Sequence, residues 1–240
     1  MTRHAVLDSK VHREIRIRAG ASAELGDAVM ACLTVPSEFR RVQNEFPILF
    51  RRDLETGRFS ALALFGFENG ENLFLEAGHW DARYRPLALS IQPFLVGKSA
   101  DGEGPAQVHI DLGHARIAAD GEEGVRPFDD FGQPTPYLEA VIAGLDELDQ
   151  GYRASDDFYA ALERYELLEP FSLDIELRDG SKHRFVGYHL IDEEKLQSLE
   201  PGALAELHSG GYLMPIFMAL ASLANLSALI GRKNCRLGHG

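Results

Sequence analysis

The sequence predicts an α+β protein: a mainly antiparallel β-sheet core with flanking helices and a helical C-terminus. Three observations carry that prediction. Residues 46–97 hold dense apolar runs (FPILF, FSALALFGF, NLFL, PLALSIQPFLVG) and the only tryptophan, Trp80. Residues 171–177 alternate strictly between apolar and polar, the two-residue period of a half-buried strand. Apolar residues at helical spacing recur in 136–165 and again after Asp192. A sheet with helices packed on it buries both kinds of face.

Taken in order, Val11, Ile15 and Ile17 amid polar neighbours suggest a short edge strand, and residues 22–30 a loop or a short helical turn. Pro36, Ser37 and Glu38 open a short helix that sets Phe39, Val42 and Phe46 on one face. Pro47 ends it, because the residue before a proline is pushed towards extended geometry. Residues 48–50 then read as the first sheet strand. Residues 59–67 are almost continuously apolar, as a central strand covered on both faces must be. Asn69-Gly70 follows, the strongest short hairpin signal, and residues 72–75 are expected to return as its partner strand. Pro86 and Pro93 make 84–97 an extended edge segment bent at Pro93, and 107–111 is an alternating strand that extends the sheet.

The second half is richer in helix. Thr135-Pro136 is a capping hydroxyl followed by a first-turn proline, and Leu138, Val141, Ile142, Leu145 and Leu148 supply the stripe. Ser155 is expected to cap a further helix, with Asp156 and Asp157 in its first turn and Pro170 as its stop. Asp179-Gly180 turns a second hairpin. The whole reads as one domain of residues 1–240: a β-rich part over about 1–118 and a helix-rich part with one hairpin over about 134–240.

Composition narrows the function. A formal net charge of -13 with no Lys/Arg cluster is the wrong balance for a phosphate backbone, so no nucleic-acid partner is expected. Cys32 and Cys235 have no CxxC spacing; the first reads as buried, the second as a loose thiol in a polar tail. The first 18 residues carry charges throughout and lack the apolar core of a secretory signal. That predicts a cytoplasmic protein, or export by a route needing no such signal. Residues 212–230 are free of formal charge and long enough to span a bilayer. Pro215, Ser222, Asn225 and Ser227 instead favour a helix that stays with the protein, with Ser and Asn facing partners, or one that closes a homodimer.

Several segments together resemble the bacterial SapC family: residues 36–50 (PSEFRRVQNEFPILF), 61–74 (ALALFGFENGENLF), 80–97, 128–138 (FDDFGQPTPYL), 187–199 (GYHLIDEEKLQSL) and 207–230. Their order, more than any one piece, carries the resemblance. It implies a protein associated with a bacterial surface layer, its secretion, or uptake at the cell envelope. The family supplies no catalytic residues to carry over, and no cofactor is expected.

Two constellations remain as candidate sites. His79, Trp80 and Asp81 with Arg83 and Tyr84 form an aromatic, polar-tipped loop suited to binding a ligand or peptide. The plainer reading makes Trp80 a plug for one end of the core. His109 and Asp111, two residues apart on a strand, share a face and with His114 offer a two-His-one-carboxylate iron site. The plainer reading there is a solvated strand face. Asp129-Asp130 is a turn former. No GxSxG, GxxxxGK[ST] or HExxH motif occurs. The sequence therefore reads as a non-catalytic binding or accessory protein with a protein or peptide partner. The alternative is a non-haem-iron oxygenase acting on a peptide or small molecule.

Overall fold

The computed structural model describes residues 3–76, 78–97, 106–119 and 123–237. In chain order the strands are β1 (His4–Val6), β2 (Ala31–Thr34), β3 (Ile48–Arg52), β4 (Phe59–Leu64), β5 (Leu75–Glu76), β6 (His79–Trp80), β7 (Phe94–Gly97), β8 (Gln107–Asp111), β9 (Leu168–Glu176) and β10 (Lys182–Ile191). The helices are α1 (Phe39–Val42), α2 (Leu87–Ser90), α3 (Pro136–Arg164), α4 (Glu193–Gln197), α5 (Pro201–Ser209), α6 (Leu213–Ser222) and α7 (Asn225–Leu237). The α+β class holds, with antiparallel sheets and a helical C-terminus.

The chain divides into two compact units. Met1–Ala28, Leu75–Asp81 and Leu87–Gln150 make the first; Val29–Phe74, Ala82–Pro86 and Gly151–Gly240 make the second. The boundary at Gln150/Gly151 falls within α3.

In the first unit β1, β8 and β7 form an antiparallel sheet in that order, with His4 opposite Asp111 and Phe94 opposite Ile110. The first half of α3 covers it. Leu138, Val141 and Leu145 recur at i, i+3 and i+7, and together with Phe94 and Ile110 they form one buried cluster. Thr135 begins the helix as expected: its Oγ1 accepts from the Leu138 N–H at 3.5 Å, just ahead of Pro136. The short β5–β6 pair also belongs here.

In the second unit five antiparallel strands run in the order β2-β4-β3-β10-β9. Ala61, Leu62, Ala63 and Leu64 of β4 are all buried between two neighbouring strands, which is why that run carries no polar face. Phe39, Val42 and Phe46 have no solvent exposure, and Phe46 meets Phe65 and Phe74 edge to face. The β9–β10 hairpin turns at Asp179-Gly180 and joins the sheet where His189 of β10 lies opposite Phe50 of β3.

Several expectations are corrected. Residues 72–75 do not pair with β4, whose neighbours are β2 and β3; the Leu73 N–H bonds Phe65 O, just past β4, at 2.8 Å. The turn itself exists, with Glu71 N–H bonded to Glu68 O at 3.0 Å and φ +81° at Gly70. Among the described residues Glu166 is the only non-glycine with positive φ. Asn69 therefore lacks the left-handed conformation that a type I′ hairpin turn demands of both central residues. The β8 strand belongs to a separate sheet. The N-terminal strand is His4–Val6; Val11 is 76% exposed, and only Ile17 makes bridges, to Ile117 and Val125.

Further on, the proline-rich 84–97 segment folds as α2 followed by β7 and is not extended throughout. Ser155 begins no helix, because α3 runs unbroken past it and its Oγ donates to the Gly151 carbonyl at 2.6 Å. Pro170 lies inside β9 at the sheet edge, where its missing N–H costs no ladder bond.

The uncharged C-terminal run becomes α6 and the start of α7. Ser222 Oγ accepts from the Ile48 N–H at 2.8 Å and donates to Ala219 O at 2.6 Å, and Asn225 Nδ2 donates to Gln43 O at 2.8 Å. Ser and Asn thus face partners, as the sequence suggested. By length and composition Leu213–Leu237 is also apolar enough to cross a membrane, with a mean hydropathy of 2.0 over its most apolar window. At the other end of this run, α7 docks on the 68–74 loop. Lys233 pairs with Glu71 at 2.5 Å and Glu68 at 3.1 Å, and Arg232 sits 4.3 Å over the Phe74 ring.

Candidate functional site

A buried polar cluster forms in the second unit where β2 ends, α1 begins and residues 82–86 pass by. Val35-Pro36-Ser37 turn the chain from β2 into α1 and drop Glu38 into the interior with no exposure. An isolated buried carboxylate would be costly, so its oxygens need donors. Thr34 Oγ1 donates to Glu38 Oε2 at 2.8 Å, and the Tyr84 phenol donates to Oε1 at 2.6 Å. The second is the short length of a charge-assisted O–H to carboxylate bond.

Past the end of α1, Glu45 takes the strap formed by residues 82–86 by its backbone. Its carboxylate accepts the Arg83 N–H at 2.9 and 3.0 Å and the Tyr84 N–H at 3.0 Å. The Arg41 guanidinium lies 5.0 Å from the Tyr84 ring centroid, within cation–π range. Glu38, Arg41 and Glu45 therefore hold the strap through its phenol, its ring face and two of its amides. The Arg83 side chain is left exposed. Cys32, buried and reduced, completes the neighbourhood. Burial pushes its thiol pKa well up, the nearby charge of Glu38 adds to this, and Arg85 opposes it. Such a thiol stays protonated and is a poor nucleophile.

The residues singled out from the sequence are distributed as follows. His79 is exposed and Trp80 half-buried on β6, paired across to Glu76 and Leu75, and Asp81 is exposed; all three belong to the first unit. Arg83 and Tyr84 belong to the second unit and to the carboxylate cluster. The five thus divide between units.

Of the trio His109, Asp111 and His114, the last two are committed to backbone hydrogen bonds, while His109 Nε2 is buried without a partner among the described residues. Asp111 accepts the backbone N–H of Arg3 at 2.8 Å and of Gly113 at 2.9 Å, and its carboxyl is held below the usual range: burial opposes this, but those two bonds outweigh it. His114 Nδ1 accepts the Arg116 N–H at 3.1 Å. The His109 ring packs against Gly97, where any side chain would collide with it. Among the described residues no group of three or more His, Cys, Asp or Glu side chains is gathered to hold a metal ion. Asp129 takes the Phe131 and Gln133 N–H groups, so the Asp-Asp pair opens with the turn former its loop suggested.

Sequence reasoning missed Glu38 and Glu45. No periodic signal marks them, since Glu38 precedes α1 and Glu45 follows it.

Taken together, the antiparallel sheets, the packed helices and a closed carboxylate–phenol network define an α+β protein whose polar cluster serves to fix a strap. The chain belongs to the SapC family, whose model matches residues 7–229. No curated protein and no solved structure matches it.

Proposed function

We propose that this SapC-family chain is a non-catalytic binding or accessory protein of the bacterial cell envelope, working on its cytoplasmic side through a protein or peptide partner. The observation that carries the reading is the open face of α6. Met214 is 52% and Phe217 53% exposed, three residues apart on one side of a helix in a run without formal charge. Large apolar side chains grouped this way on a surface mark a contact site, with the aromatic as its anchor. A second copy of the chain is the second occupant this face supports. Each copy carries a net charge of -13, and an uncharged face is where two such chains meet with least repulsion.

The test is a photo-reactive phenylalanine at position 217, irradiated in cells and followed by mass measurement of the adduct. A companion protein joined at 217 supports the partner reading, and an adduct of twice the chain's mass supports the homodimer. A chain that stays unjoined, or is joined equally from an exposed control position such as Leu54, overturns both.

A further inference from the structure

The first unit carries a second open feature, of different chemistry. Along the first half of α3, Glu139, Ile142, Asp146 and Asp149 fall at i, i+3, i+7 and i+10, one stripe on one helix face. The stripe forms one side of a groove of about 410 Å³ whose other side is Val96 of β7 and Val108 of β8. Ile142 is 39% exposed and Leu145, beneath it, is 3% exposed. Among the described residues the lining holds three carboxylates and no Lys, Arg or His.

The two exposed carboxylates, Glu139 and Asp146, lie seven residues apart on the helix, about 10 Å at 1.5 Å per residue. That is too long for one small cation and the right length for about two turns of a second helix. An apolar floor with an acidic rim asks for an apolar stripe flanked by ammonium or guanidinium groups. We infer that this groove binds a cationic amphipathic helix of a partner protein, laid along α3 with its apolar residues over Ile142 and its Lys or Arg residues against Glu139 and Asp146. The inference rests on the binding-protein reading above and names the chemistry of what is bound.

The experiment uses the full chain and a fluorescein-labelled peptide of about 18 residues built from Leu and Lys with one apolar helical face. A scrambled peptide of the same composition has no such face. Binding is read by anisotropy at about 0.15 M salt, where long-range attraction to the acidic chain is screened. The patterned peptide is expected to bind saturably, and Glu139→Lys/Asp146→Lys to weaken it about tenfold. Glu193→Lys/Glu194→Lys makes the same change in net charge at exposed positions of α4 and should change binding less than about twofold. Ile142→Ser tests the apolar floor and should also weaken binding. Glu139, Glu193 and Glu194 lie in the first turns of their helices, so each lysine there is destabilising against the helix dipole; melting temperatures are measured alongside, and binding is read well below them.

Equal weakening by the two charge reversals, equal binding of the scrambled peptide, or no saturable binding overturns the inference. A companion still joined at residue 217 while the peptide result is negative defeats the groove alone. A positive peptide result with nothing joined at 217 defeats the α6 reading alone.

Discussion

The phenol of Tyr84 donates a 2.6 Å hydrogen bond to Glu38, a carboxylate with no solvent exposure, across 46 residues of sequence. Tyr84→Phe removes that donor and leaves a buried charged acceptor short of one partner. The cost of such a loss is about 1–3 kcal/mol. In a chain of this length that corresponds to a fall in Tm of roughly 2–12 °C. Arg83→Ala is the control, since Arg83 engages Glu45 through its backbone N–H, which alanine keeps. Calorimetry should show Tyr84→Phe clearly destabilised and Arg83→Ala within about 0.5 kcal/mol of the parent. Equal losses would mean that the phenol has no special role.

That bond also explains what sequence reading reaches and what it does not. The β3 and β4 strands are legible because contiguous apolar residues must be covered on both faces, and the start of α3 is legible because Thr135-Pro136 is a local signal. The Asn69-Gly70 turn is legible as a turn, but composition does not say whether Asn69 takes a positive φ, and on that depends whether the flanks pair as a hairpin. Ser155 with two following aspartates looks like a cap; it is a mid-helix serine bonded back to Gly151. Tyr84 and Arg83 stand out by residue type. Glu38 and Glu45 do not, because the strap they hold lies 38 to 46 residues away and only the folded chain brings it to them.

Gly66 and Gly70 flank the same turn and should respond differently to alanine. At Gly70 a Cβ meets nothing within 4 Å, so the cost is that of placing a non-glycine at φ +81°, about 1 kcal/mol. At Gly66 the Cβ would lie 2.8 Å from the Glu71 carbonyl oxygen, a backbone atom that cannot rotate away. Overpacking of this kind costs about 1–3 kcal/mol. It also displaces Glu71, which accepts the Phe67 N–H at 2.9 Å and pairs with Lys233. Chemical denaturation should rank Gly66→Ala below Gly70→Ala in stability; the reverse order would place the tight approach elsewhere.

His189 makes stability depend on mild acid. Its Nδ1 is buried without a hydrogen-bond partner and its ring meets Phe59 edge to face at 5.0 Å. Burial lowers its pKa, and Arg52 nearby adds to the shift. A folded-state pKa below the unfolded one favours the neutral ring. Its contribution is full above the unfolded value of about 6.5 and is lost as pH falls through the folded value. His114 is shifted the same way, by burial and then Arg116. Asp53 and Asp179 are shifted down, so their losses begin only near the ordinary carboxylate range, about pH 4. The Tm should be flat between about pH 7 and 8, fall below about 6.5, and fall again above about 8.5, where the unfolded Cys32 thiol ionises and the buried one does not. His189→Phe keeps the ring packing, removes the unpartnered nitrogen and should reduce the acid-side fall. A variant with the parent's pH profile would assign the sensitivity to another group.

The last helix is held by a lysine that is 8% exposed, and this gives the most direct test of how α7 docks. Burial works against the Lys233 charge, but its hydrogen bonds to Glu71 and Glu68 outweigh this and raise its pKa. His183 Nδ1 of β10 also lies 3.0 Å from the Glu68 carboxylate, so one lysine holds together a carboxylate pair approached from α7 and β10. Lys233→Met keeps the aliphatic volume but leaves Glu71, whose side chain is 14% exposed, beside Glu68 with no lysine between them. Losing a charged hydrogen-bond partner at a half-buried site costs about 2–3 kcal/mol. Glu71→Gln in the Lys233→Met background removes the uncompensated charge and should recover part of that loss. The double-mutant cycle then returns a favourable coupling between Lys233 and Glu71. Additive losses, with no recovery in the double variant, would show that α7 is held by Arg232 on Phe74 and by Arg236 on the Asn72 carbonyl, and not by the lysine.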